Sequence, residues 1–149
     1  MRTLKFLGLA VAAFLSIAPA FADDASPVGL WKNIDDKTGK PKALIRVTET
    51  NGVLQGQIEK LFREPGEDQA PSCEKCKDAR KGKPVIGMVI MTNLKKDGDE
   101  YNGGQILDPD DGETYKCKLH LTDGGKKLSM RGYIGVPMLG RSQVWVRQE

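Results

Sequence analysis

The segment Glu113–Leu121 alternates without a break. Tyr115, Cys117, Leu119 and Leu121 fall on one side of an extended chain, and Lys116, Lys118 and His120 on the other. A period of two suits a β-strand with one dry and one wet face, and it cannot make the apolar stripe of a helix. The pattern recurs along the chain. Gly29–Ile34, Lys42–Thr48 (Ala43, Ile45 and Val47 on one face), Val53–Phe62 (Leu54, Gly56, Ile58) and Val85–Met91 read as strands. So do Tyr101–Leu107, Lys127–Ile134 (Leu128, Met130, Gly132) and Arg141–Arg147 (Gln143, Trp145, Arg147), which makes eight in all. Turn signals separate most of them: Asp35-Asp36 with Gly39, Asn51-Gly52, a polar turn over Lys95–Glu100 with Asp97-Gly98, Asp108–Gly112, and Asp123-Gly124-Gly125. Short links between successive strands predict an antiparallel meander. Eight such strands either stack as a sandwich or curl into a barrel. Glycines inside the strands, at 56, 87, 103, 104 and 132, supply the bends that a small barrel needs. The expected fold class is therefore all-β, an antiparallel up-and-down β-barrel of about eight strands. Residues 63–84 break the rhythm with Pro65, Pro71 and Pro84 and form the longest loop.

The N-terminus reads differently. Arg2 and Lys5 precede an apolar run, Phe6–Ile17, and Ala20-Phe21-Ala22 fits the small-x-small pattern of signal-peptidase sites. Residues 1–22 are expected to be a secretory signal peptide cleaved after Ala22, with residues 23–149 as a single barrel domain in the periplasm or outside the cell. The run is short of the roughly 20 residues that span a bilayer, and no later stretch approaches that length. Removing residues 1–22 leaves 127 of the 149 residues, with 21 basic and 20 acidic side chains. That balance removes the electrostatic case for nucleic acid, and the mature chain is expected to have no membrane span.

The chain holds three cysteines. Cys73 and Cys76 form a C-x-x-C in the long loop, expected to be a disulfide in an oxidising compartment. Redox exchange would need the pair at a helix N-terminus after a strand, and no helix is readable there. A zinc site would need Cys117 and His120 as further ligands, but the pleat sends them to opposite faces. Cys117 reads as a small buried thiol, or as a link between two chains if it is exposed. No metal or cofactor is expected.

Gly135–Ser142 mimics a phosphate-binding loop, with Arg141 where a lysine should stand. A strand rather than a helix follows, so the helix N-terminus that binds phosphate is missing. The aspartates at 35, 36, 108, 110 and 111 sit among glycine and proline and read as turn formers. No G-x-S-x-G or other catalytic signature is present, and the chain does not read as an enzyme.

The two chain ends point to each other. Gly29-Leu30-Trp31 opens the first strand, and Trp145 and Arg147 end the last. In a closed barrel these strands pair, so Trp31 can be covered by Arg147, and both are assigned to barrel closure. The Gly-x-Trp start resembles the lipocalin or calycin plan. A wider set appears in order: Gly29-Leu30-Trp31-Lys32, Cys73-x-x-Cys76, Lys83–Gly87, Gly104-x-Ile106-Leu107-Asp108-Pro109, Gly112-x-x-Tyr115, Arg131–Gly135 and Gly140-Arg141-x-Gln143-x-Trp145-x-Arg147. Together these resemble the bacterial exported family called domain of unknown function 2147. The resemblance implies a lipocalin-like barrel in the periplasm and brings no catalytic residue with it.

A barrel with slim inward residues (Ala43, Gly56, Cys117, Gly132) has room inside. The leading expectation is a binder of a small apolar or amphipathic molecule, lined by Ile45, Leu54, Ile58, Tyr115, Leu119 and Met130. An eight-strand barrel can also be filled by its own side chains. The alternative is an envelope protein-interaction module without a small-molecule ligand. It would act through the long basic loop or through the apolar loop Val136–Leu139.

Overall fold

The computed structural model describes residues 25–149; the expected signal peptide, residues 1–22, lies outside the described residues. Eight strands follow in order: β1 (Gly29–Ile34), β2 (Pro41–Thr50), β3 (Val53–Leu61), β4 (Val89–Asp97), β5 (Glu100–Leu107), β6 (Thr114–Thr122), β7 (Lys127–Tyr133) and β8 (Gly140–Arg147). Each pairs antiparallel with the next, and β8 returns to β1, so the sheet closes into a barrel. Closure abolishes sheet edges and their unpaired backbone groups.

Closure rests on a short ladder in which Trp31, Lys32 and Asn33 face Arg147, Val146 and Trp145. Side-chain contacts reinforce it. The Arg147 guanidinium lies 4.3 Å from the centre of the fully buried Trp31 ring. Its nitrogens also donate to the carbonyls of Gly125, Val28 and Ser26 at 2.7, 3.0 and 2.5 Å. The Trp31 indole donates to the Pro27 carbonyl at 2.8 Å. One cation thus ties the segment before β1, the β6–β7 turn and the end of β8 into a plug at one end of the barrel.

One strand departs from the sequence expectation. Val85–Met91 is predicted as a strand and Lys95–Glu100 as a turn, but β4 runs from Val89 to Asp97. Val85–Met88 instead makes a tight turn, with Met88 N–H donating to the Val85 carbonyl and Gly87 at φ 89°. The cause is a paired irregularity. Met91 and Leu94 both point inward although three residues apart, which strict alternation forbids. Asn93, at φ 64°, absorbs the extra residue in β4, and Gly103, at φ 74°, does so in β5. The register therefore shifts against β3 on one side and β6 on the other.

The long segment between β3 and β4 is ordered by its own contacts. Cys73 and Cys76 form a disulfide, and both are buried. Ser72 bridges to Pro84, and Cys73 and Lys83 are joined by a 2.8 Å backbone hydrogen bond. The staple seats on the β5–β6 turn. Gly112 there has φ 75°, and any Cβ would overlap the Lys75 carbonyl, so only glycine allows the approach.

Replacing Arg147 with alanine is expected to lower stability by about 2–4 kcal/mol, from the lost cation–π contact and the carbonyls left unpaired. Denaturant unfolding of Arg147→Ala against the parent chain measures this.

Candidate ligand-binding site

The barrel interior has two unlike halves. At the end holding the chain termini, Trp31, Val47, Leu54, Leu94, Leu119 and Leu128 fill the cross-section, none more than 1% exposed. Toward the other end the interior opens into a cavity of about 760 Å³. Cavities of a few hundred to about a thousand Å³ suit small organic ligands. Its deep wall is apolar, from Ala43, Ile45, Ile58, Ile90, Ile106 and Met130, with Trp145 beside them. The β1–β2, β5–β6 and β7–β8 turns and the segment after β3 ring its mouth.

Among the residues read as liners, Ile45, Ile58, Tyr115 and Met130 border this cavity. Leu54 and Leu119 do not. They lie in the filled half, at 0% and 1% exposure, because their positions in β3 and β6 fall nearer the plugged end. The slim residues divide the same way. Ala43 and Gly132 border the cavity, whereas the space beside Gly56 is taken by Met91 and Ile45, whose nearest atoms would stand 3.0 and 3.3 Å from an added Cβ. Cys117 is buried outside the cavity lining. Burial pushes its thiol up to about 12, so it stays neutral and unreactive.

The mouth is polar. Asp35 accepts from the backbone N–H groups of Lys37 and Thr38, Asp108 from that of Asp110, and Asp111 from that of Glu113. These are turn bonds, as the composition of the turns foretells. Carboxylates of these turns also bind side chains across the rim. Lys42 donates to Asp110 at 2.6 Å and lies 3.9 Å from Asp35. Burial alone would lower the Lys42 pKa, but the bond to Asp110 and the charges of Asp110, Asp108 and Asp35 raise it, and the ammonium is kept. Tyr115 donates to Asp111 at 2.6 Å; that bond, with burial, holds the phenol up to about 12. Burial raises the Asp108 carboxyl above the usual range. Arg141, the lysine substitute of the false phosphate loop, donates to Asp36 from Nη2 at 2.5 and 2.6 Å and from Nε at 3.1 Å, and braces β8 to the β1–β2 turn.

Two polar groups lie deeper. Asn33 and Gln143 line the cavity on adjacent strands. Neither is among the residues singled out from the sequence as liners, although Asn33 stands in phase with Trp31, and Gln143 with Trp145 and Arg147. The alternation shows which way such residues face and not how far along the barrel the packed half extends.

Among the described residues, the β7–β8 connection carries four of the exposed large apolar side chains. Ile134, Val136, Met138 and Leu139 are 66, 52, 88 and 72% exposed, around a single 3₁₀ turn at Pro137–Leu139. Arg131 holds this turn by donating to the Pro137 carbonyl at 2.6 Å. Ile134 and Leu139 also border the cavity, so the apolar surface runs from its interior to the rim.

The family model described as "Uncharacterized protein conserved in bacteria (DUF2147)" matches residues 29–147. Among solved structures, the chain is similar to protein HP1028 from the human pathogen Helicobacter pylori, reported to belong to the lipocalin family. The two share 17% identity over 84% of each chain, with a TM-score of 0.69. No curated protein matches the chain in sequence. The likeness to HP1028 is one of fold: a lipocalin-like closed barrel.

The native protein is expected to leave Cys117 unlabelled by a thiol reagent at pH 8 and to expose one thiol per chain in denaturant. Fast labelling of the native form would show that the barrel opens readily around β6.

Proposed function

Because the chain belongs to the bacterial family DUF2147 and folds as a lipocalin-like barrel, we propose that it is a periplasmic protein that binds a small apolar or amphipathic molecule in the barrel. The observation that carries this reading is the cavity of about 760 Å³, apolar at depth and polar at the rim. An apolar wall takes up a hydrocarbon part at roughly 25 cal/mol for each Å² removed from water. The polar rim leaves a wet end for a head group. Ile45, Ile58, Tyr115 and Met130 act as liners, while Trp31 and Arg147 hold the opposite end shut. The Cys73–Cys76 disulfide supports an oxidising compartment, as does the signal-like N-terminal sequence.

Gly132 offers the test. A Cβ there would meet Tyr115 at 3.6 Å and Ile106 at 3.8 Å, ordinary contact distances, and its backbone is not left-handed. Gly132→Leu therefore narrows the cavity without forcing the strand. Native mass spectrometry of the protein purified from periplasm is expected to show a bound small molecule that denaturation releases. Gly132→Leu is expected to be folded and to retain less of that molecule. An empty parent protein that also takes up no apolar probe would contradict the reading.

The exposed Ile134, Val136, Met138 and Leu139 favour a second reading, an envelope protein partner that covers this loop. A photocrosslinker at Met138 in intact cells would give one discrete protein adduct on this reading. Recovery of uncrosslinked monomer alone would oppose it.

A further inference from the structure

We infer that the cavity selects a molecule whose polar end is an uncharged hydrogen-bond acceptor, an ester, amide or ketone carbonyl, held by the side-chain amides of Asn33 and Gln143. This inference rests on the cavity being a ligand site. Its own basis is the orientation of the two carboxamides. Asn33 Oδ1 accepts from the Ala43 backbone N–H at 2.8 Å. Gln143 Oε1 accepts from the Trp145 indole N–H at 3.2 Å. A backbone N–H and an indole N–H can only donate, so each carboxamide must turn its oxygen to the wall. Each amino group is then left over, and neither has an acceptor among the described residues. Among the described residues no buried side-chain polar atom is left without a partner, so both amino groups reach the open space of the cavity they line.

The ladder sets the two groups side by side. Asn33 faces Trp145 across the β1–β8 pair, and Gln143 is two residues along on the same inward face. Diagonal neighbours of this kind stand about 7–8 Å apart at Cα, within reach of one acceptor group or two on the same molecule. Asn33 and Gln143 thus give a cavity of aliphatic and aromatic walls one donor-only patch.

Charge at the mouth decides the type of acceptor. Asp35, Glu64, Glu67, Asp108, Asp110 and Asp111 border the cavity against Lys40, Lys42, Arg63 and Arg141. Six carboxylates against four cations set a field that opposes a carboxylate or phosphate entering between them. Lys42 and Arg141 are already committed to Asp110 and Asp36 and offer an anion little in return. An ammonium would suit the rim, but it has no acceptor to offer the two amides. An uncharged carbonyl satisfies both regions.

Asn33→Asp and Gln143→Glu test this, singly and together. Each keeps an oxygen for its wall donor and replaces the free amino group with a second oxygen, so the structural bonds survive while the patch changes from donor to acceptor. Thermal melting checks that each variant is folded. The probes share one ten-carbon chain: the methyl ester, the carboxylate, the ammonium and the bare hydrocarbon. The parent protein is expected to bind the methyl ester about tenfold more tightly than the hydrocarbon, from two hydrogen bonds to neutral donors. The carboxylate is expected to bind more weakly than the ester. In the double variant the ester loses its advantage, hydrocarbon binding stays, and the ammonium becomes the tightest probe. The carbonyl stretch of the bound ester supplies a second readout: it lies at lower frequency in the parent protein than in the double variant.

Equal binding of ester and hydrocarbon by the parent protein would overturn the inference while leaving the cavity as a ligand site. So would an ester advantage or a carbonyl shift that persists in the double variant. Failure of every probe to bind would overturn the ligand site itself, and this assignment with it.

Discussion

The barrel depends on joining its first strand to its last. Three residue pairs make that ladder, between Trp31–Asn33 and Trp145–Arg147, and it is short for the task it has. Each missing backbone bond at such a seam would leave a buried donor or acceptor, at about 1–3 kcal/mol apiece. Arg147 compensates. Its guanidinium covers the Trp31 ring and satisfies three carbonyls from two other parts of the chain. Because the arginine sits at the terminal end, that end becomes solid. The interior's remaining space is displaced to the other end, where four strand connections surround it.

The packed half and the open half are two results of one pattern. Every strand sends alternate residues inward, but residue size varies along each strand. Near the plug the inward positions hold Trp31, Leu54, Leu94, Leu119 and Leu128. Near the mouth Ala43 and Gly132 take their place. The long segment after β3 then docks at the mouth. Its disulfide seats against the β5–β6 turn, where Gly112 leaves room for the Lys75 carbonyl. The rim is therefore built from segments far apart in sequence, joined by a staple and by ion pairs such as Lys42–Asp110 and Arg141–Asp36.

Most of this architecture is legible in the residues. Alternation in Glu113–Leu121 and Lys127–Ile134, with Asn51-Gly52 and Asp123-Gly124-Gly125 between strands, marks the elements to within a residue or two. The β4 strand is the exception. Its inward residues Met91 and Leu94 are three apart, and the bulges at Asn93 and Gly103 that reconcile them follow from pairing with neighbours, which no local pattern reveals. The site is less legible. Period two assigns Ile45, Leu54, Ile58, Tyr115, Leu119 and Met130 to one interior without saying at what depth each sits. Depth follows from strand stagger, and it separates Leu54 and Leu119 from the rest. Asn33 and Gln143 illustrate the same point: their inward phase is readable, but the free amino groups appear only once Ala43 and Trp145 are seen to occupy the oxygens.

Trp145 is placed to report a ligand in the open half of the barrel. Trp145 borders the cavity, while Trp31 lies under Arg147 in the filled half. Titration with an amphiphile carrying bromine on its chain, which quenches indole fluorescence at contact, reads that difference directly. A ligand held in the cavity gives saturable quenching at one per chain, lost in Trp145→Phe and weakened in Gly132→Leu. Quenching that does not saturate, or that persists unchanged in Gly132→Leu, would contradict binding there.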